Sequence, residues 1–405
     1  MADPRRVGYL VADLFSNATV CIELTGLIRA GVPLEVVSLH PSTLAADQGV
    51  TSADAIQAAA TTLEPSTLSE SVRALVLGPC VFGRRFALVL ARALFGRAES
   101  LGQRRTMVSS LLPALVLALR WRKRNVGQVH AQQAQAATTL AMHVSELLGV
   151  GFSFTGHADD LFVHREGLKA KVHRARFVVC ISEFHRRFFQ SLGADPARLK
   201  VVYCGVDVDR FLFPNTGASA TGKGMNPPRI LAIGKLHERK GFHDLVQACS
   251  HLRDQGIPFQ CTIAGAGPEL RRLEAMVKRN GLTDCVTLTG EPVRPDALPG
   301  LLSTARVFAL PCTRDAQGGM DGLPQILIEA LLCGVPVVST RLVGIPDLVR
   351  HAETGLLVDP GDTQAADSLH VTLGSSVAAA RLGSKGREDG RTSVETSPFD
   401  ASRPF

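Results

Sequence analysis

Twice along this chain, short apolar or β-branched runs alternate with longer stretches of helical period, and that rhythm limits the fold more than any single residue does. The first pass opens with VGYLVADLF from Val7, continues through VCIELTGLIRAG and PLEVVSLH, and has further strand candidates at 74–77, 128–130, 152–155, 177–181 and 201–203. The second runs RILAIGKL, a helix over 241–255, FQCTIAG, a helix over 269–280, CVTLTG, VFALPC, a helix over 323–332 and VPVVST. Parallel strands need a long crossover, so strand and helix in alternation predict parallel sheets with helices on their faces. Between the passes, residues 207–228 carry NTGASATGKGMNPP, too rich in Gly, Pro, Ser, Thr and Asn to build a core. The expected architecture is α/β: two doubly wound domains, 1–206 and 229–362, joined by a linker at 207–228 and followed by a polar, poorly ordered tail at 363–405. Ligands of such sheets sit beyond the carboxyl ends of the strands, so two halves facing each other would enclose one in a cleft.

Composition narrows the function classes. The 405 residues are 45% apolar and 20% charged, with a net charge of +7. That excludes a wholly disordered chain and favours anionic partners. Nine cysteines stand singly, with no Cys-x-x-Cys pair and an odd total. A disulfide scaffold or zinc ribbon is therefore not indicated, and a reducing compartment fits best. The apolar run at 7–12 reads as a first strand rather than a signal peptide's core. The longest largely apolar stretch, 107–119, includes two serines and a proline and falls short of the roughly 18 residues a bilayer span needs. A cytoplasmic protein is expected.

The segment 318–340, GGMDGLPQILIEALLCGVPVVST, places a glycine-rich loop before a helix and a buried strand. Asp321 and Glu329 stand eight residues apart; if helix filled the interval they would lie roughly 12 Å apart, beyond the ~5 Å of a retaining glycosidase pair. They suit gripping two ends of one elongated ligand, with helix N-terminal amides facing phosphate. The plain alternative is that Asp321 caps the helix and Glu329 is an ordinary helical charge.

The run DGLPQILIEALLCGVPVV resembles the carboxylate-x7-Glu signature of family 4 of the retaining, nucleotide-sugar-dependent glycosyltransferases. IGKLHERKG (233–241) resembles that family's phosphate-binding turn, IAGAGPEL (263–270) its Gly-x-Gly-Pro loop, FSFTGHADDLF (152–162) its amino-domain histidine segment, and VVYCGVDVDRF (201–211) its hinge. The likeness runs from about residue 7 to 362 and leans toward exopolysaccharide and colanic-acid-type enzymes. Asp321 stands where Glu is usual, Lys235 where Arg is common, and the family's long closing helix has no counterpart in the polar tail.

The resemblance implies the GT-B fold, two facing Rossmann-like domains, and metal-independent transfer of a sugar to a hydroxyl of a glycan or lipid-linked acceptor in polysaccharide biosynthesis. It implies catalytic roles for His157, Lys235, Lys240 and Asp321. Donor contacts fall to Gly234, Arg239, Gly265, Gly267, Glu291, Gly322, Leu323, Pro324 and Glu329, with Ser16 and Asn17 on the acceptor side. Two ammonium groups can neutralise a departing diphosphate without a metal. No cofactor is expected beyond the nucleotide-sugar co-substrate. The alternatives are a nucleotide-sugar epimerase of the same fold and a degenerate sugar-nucleotide-binding scaffold.

Other motifs have competing readings. His157, Asp159 and Asp160 form a His-x-Asp-Asp run that could hold a divalent metal. Gly265-Ala-Gly267 follows a strand and precedes a helix but lacks the third glycine of a dinucleotide fingerprint; the geometry suits close backbone approach to a nucleotide. His237 and His243 read as surface or packing residues. Residues 81–126 hold ten basic side chains against Glu99 alone, interleaved with leucines, phenylalanines and Trp121. Such a surface could rest on anionic headgroups, making the protein peripheral at the inner membrane face. Few aromatics suit base stacking, so nucleic acid is not an expected partner.

Overall fold

The computed structural model describes residues 5–14, 18–40, 60–63, 68–163, 165–206, 208–211, 226–362 and 365–374. They form two compact units that part between Val202 and Tyr203. The first contains strands β1 (Arg6–Val11), β2 (Leu34–Ser38), β3 (Ala60–Thr62), β4 (Val126–Gln132), β5 (Gly151–Gly156), β6 (Phe177–Cys180) and β7 (Leu199–Val201). All are parallel, in the order β3-β2-β1-β4-β5-β6-β7. The second contains β8 (Arg229–Ile233), β9 (Gln260–Ala264), β10 (Val286–Leu288), β11 (Val307–Leu310), β12 (Val337–Thr340) and β13 (Gly355–Val358), in the order β10-β9-β8-β11-β12-β13. Counted from its own first strand, each sheet reads 3-2-1-4-5-6, the Rossmann order, and β7 extends the first by one strand. Central strands are covered on both faces, which is why they read as unbroken apolar runs: Ile230, Leu231, Ala232, Val307, Phe308 and Leu310 expose nothing.

Three expectations are corrected. Residues 74–77 are not a strand but part of the helix Leu68–Phe82, whose Ala74, Gly78 and Phe82 turn inward at four-residue spacing. A four-residue apolar run carries too little periodicity to separate strand from helix. The second unit does not end at 362: residues Ala365–Gly374 form a helix that packs on the helix Phe242–Asp254 and buries Leu369 and Leu373 in the core. Two leucines four apart are enough to dock one turn of helix against a sheet-covering layer. Residues 375–405 and most of the linker lie outside the described residues.

The third concerns the basic segment. Trp121 is core, not surface; a Cβ on Gly8 would come within 2.5 Å of its ring. Several arginines there tie helices together while remaining at the surface. Arg120 grips Glu70 through two bonds of 2.7 Å, Arg92 and Arg174 share Glu146, and Arg85 donates to the Leu148 carbonyl. Among the described residues no single helix is long and apolar enough to cross a membrane.

Candidate functional site

In the second unit the groups expected to hold a donor gather at the carboxyl ends of β8 and β11. After β8 the chain runs through Gly234 and Lys235 into a short turn, Glu238–Lys240, closed by Gly241. Gly241 has φ +68°, and a Cβ there would fall 1.8 Å from the Pro311 carbonyl oxygen, so no side chain fits. This turn delivers Lys240, whose stem passes Gly234 and whose Nζ meets Asp321 Oδ2 at 2.6 Å. Burial would lower the Lys240 pKa, but the Asp321 carboxylate outweighs it and the ammonium is held above its ordinary range. Cys312 places its Sγ 3.7 Å from the same carboxylate oxygen, and burial pushes that thiol up, away from reactivity.

Asp321 does not cap the helix. Pro324 occupies the cap of Gln325–Leu332 without a side-chain bond, and residues 321–324 are loop, so the carboxylate spacing of an uninterrupted helix does not apply. Gly322, Leu323 and Pro324 are buried, and the Gly322 carbonyl accepts from Gly344 N–H at 2.9 Å. Glu329 is no solvated charge either. Burial lifts its carboxyl to about 7, against the pull of Arg210 and a 3.3 Å bond from Gln325. Arg210, on the short helix Val208–Phe211, escaped the sequence reading because its relation to Glu329 is tertiary.

The remaining donor residues divide. Arg239 turns to Asp315, Nε to Oδ2 at 3.5 Å, and its carbonyl accepts from Thr313 N–H. Asp315 also accepts from Gln317 and Gly319 N–H, so Arg239 braces the 313–319 loop. Lys235 is exposed. His237, set aside by the sequence reading, lies among these charges: burial, Lys235 and Arg239 lower its pKa, Asp321 raises it and Lys240 lowers it. Gly265 and Gly267 approach their own chain. A Cβ on Gly265 would lie 1.9 Å from the Gly234 carbonyl oxygen, and one on Gly267 2.4 Å from that of Leu236. Their smallness is thus already used in seating this loop on the turn at 234–241. Thr289 ties Gly265 N–H to the backbone of Glu291, whose side chain is exposed.

In the first unit, His157 follows β5 and begins the short helix Ala158–Phe162. Asp160 is buried and reaches back to the His157 N–H at 2.9 Å, while Asp159 is exposed, so the His-x-Asp-Asp run does not converge on one point. Burial drives the His157 pKa down to about 4, against the pull of Asp159. Its Nε2 lies 2.8 Å from Gln132 Oε1. Gln132 belongs to a chain with Tyr9 and Glu23 that no local motif announced. Ser16 and Asn17 lie outside the described residues.

Residues 24–210 match the family model described as Glycosyltransferase Family 4, and residues 227–371 that described as Glycosyl transferases group 1. The chain is similar to the putative colanic acid biosynthesis glycosyltransferase WcaL of Salmonella typhimurium, 35% identical over 217 residues, covering 51% of this chain and 52% of that one. It is also similar to the amylovoran biosynthesis glycosyltransferase AmsK of Erwinia amylovora, 32% identical over 193 residues, covering 48% and 46%. The matches span about half the length of these curated relatives. Among solved structures, Anabaena HepE in complex with UDP and glucose has a TM-score of 0.67 at 18% identity, covering 98% of this chain and 96% of that one. At that identity the likeness is one of fold.

Proposed function

We propose a function for this chain from the premise that it belongs to the family 4 glycosyltransferases of GT-B fold. It moves a sugar, with retention and without a metal, from a nucleotide-diphosphate sugar to a hydroxyl of a glycan or lipid-linked acceptor in polysaccharide biosynthesis. The observation that carries this reading is the Lys240–Asp321 contact of 2.6 Å at the mouth of the phosphate turn. A desolvated ammonium there meets the negative charge that grows on a departing diphosphate, where such a donor is worth more than in water. Lys235 adds a second charge, Asp321 and the backbone of 322–324 hold the sugar, Glu329 the ribose, and His157 attends the reacting sugar. The acceptor lies by Ser16 and Asn17. The departing phosphate oxygen takes the acceptor's proton as the hydroxyl attacks from the same face. The relatives reported above are glycosyltransferases by name, which leaves the epimerase reading without support.

A thermal-shift screen over nucleotide sugars tests donor binding, since a tight donor raises the melting point by mass action. Product analysis by NMR then gives the anomeric outcome, and transfer in excess chelator tests metal independence. A donor that stabilises the Lys240→Ala variant as much as the wild type would remove the reading.

A second proposal concerns where the protein works. Leu68, Val72, Leu75 and Val76 are 83, 52, 55 and 64% exposed along the helix Leu68–Phe82, and Phe95 and Leu101 are 83 and 90% exposed. Exposed Arg73, Arg84, Arg97 and Arg105 accompany them. Apolar side chains with a basic fringe fit an anionic bilayer at the cytoplasmic face. Co-sedimentation with anionic vesicles should fall with salt; equal binding to neutral vesicles would exclude it.

A further inference from the structure

The bonds beneath His157 leave one pattern of protons. The Gln132 side-chain nitrogen donates to Tyr9 Oη at 2.5 Å and to Glu23 Oε2 at 2.6 Å, and Tyr9 donates to Glu23 Oε1 at 2.7 Å. Tyr9 comes from β1, Glu23 from the helix Ala18–Arg29 and Gln132 from the end of β4. Both amide N–H groups are spent, so the amide oxygen is the atom that meets His157 Nε2, at 2.8 Å. Burial lifts the Glu23 carboxyl to about 7, so at pH 8 it is ionised, and turning the amide over would press its oxygen against the carboxylate and forfeit both bonds. An amide oxygen only accepts, so the proton must sit on Nε2 of the ring.

We infer that Gln132, locked by Tyr9 and Glu23, is a positioning residue that fixes His157 as a neutral imidazole protonated at Nε2. Burial, which lowers the ring's pKa, acts in the same direction. The consequence for chemistry rests on the reading that His157 attends the transferred sugar. The anomeric carbon gains positive character as the diphosphate leaves. A ring that is uncharged, with its one N–H already committed, opposes that carbon with no cation and offers no competing donor. The same shell holds the ring's rotamer, and misplacement of such a group by about 1 Å costs on the order of 10²-fold in rate.

The test uses the full-length chain with 15N-labelled histidine at pH 8, His157 being assigned by the loss of its signals in His157→Ala. The expected spectrum shows a pyrrole-type nitrogen at Nε2 and a pyridine-type nitrogen at Nδ1. Gln132→Met should convert these into the averaged shifts of exchanging tautomers and lower kcat about 10- to 100-fold with the donor KM unchanged. Glu23→Gln keeps the shape of the group but not its charge. It should shift the tautomer balance in the same sense and serves where the Gln132 variant does not fold. An Nδ1-protonated ring in the wild type overturns the inference, as does a wild-type tautomer or unchanged kcat in Gln132→Met. A wild-type chain with the expected nitrogen pattern that transfers no sugar supports the lock and overturns the transferase reading instead.

Discussion

The two units repeat one strand order, yet the groups at the carboxyl ends of their strands are kept in different charge states. In the second unit, Lys240 is largely buried and remains an ammonium because a carboxylate lies 2.6 Å away. In the first, His157 is buried against Gln132 with no carboxylate among the described residues in contact with its ring, and burial drives its pKa to about 4 against the pull of Asp159. Desolvation penalises a charge in both places; a counter-ion within reach decides whether the charge survives. One fold can thus keep a cation at the strand ends of one unit and a neutral ring at those of the other.

The comparison is most exposed to Lys240→Ala. Removing the paired ammonium should lower kcat/KM about 10²- to 10³-fold, the range for one transition-state donor, measured from initial rates with saturating acceptor. A loss within threefold would mean that the charged grip does not act on the reaction.

Backbone geometry is the next point of attack. Gly241→Ala forces a side chain onto the Pro311 carbonyl at φ +68° and should cost about 1–3 kcal/mol in denaturant unfolding while raising the donor KM. Its counterpart in the first unit, Gly8→Ala, presses on the Trp121 ring and should cost a similar amount without touching the donor KM. If both variants alter donor binding alike, the division of labour between the units is wrong.

A pH series sharpens the contrast inside the second unit. Glu329 titrates near 7, so nucleotide affinity that depends on its ionised form should weaken as pH falls through 7, toward about tenfold per unit. Calorimetry with UDP and GDP between pH 6 and 8 reads this, and Glu329→Gln should flatten it. Stability runs the opposite way. A carboxyl raised from about 4.3 in the unfolded chain contributes stability at low pH that is lost as pH rises through 7, so Glu329→Gln should melt higher than wild type at pH 8. The smallest effect belongs to exposed Lys235: its alanine variant should lose only about 2- to 5-fold in donor affinity, the size of an exposed ion pair.

Much of the fold was written in local pattern. Strand runs such as RILAI and VFAL are continuous and apolar because parallel strands are covered on both faces, and a glycine or proline marks where these two stop. Chemistry-bearing residue types were equally plain: Lys240, Asp321, Glu329 and His157 stand in short motifs that their resemblance to those of a known family set apart. Partnership was not. Asp321 reads as a helix cap until Lys240 is seen beside it, Gly265 and Gly267 read as room for a ligand until the turn at 234–241 is found against them, and Tyr9, Glu23 and Gln132 share no segment with His157. Residue type and spacing are properties of the chain itself. Charge state, tautomer and the neighbour of a glycine depend on which distant atoms displace water, and only folding brings those atoms together.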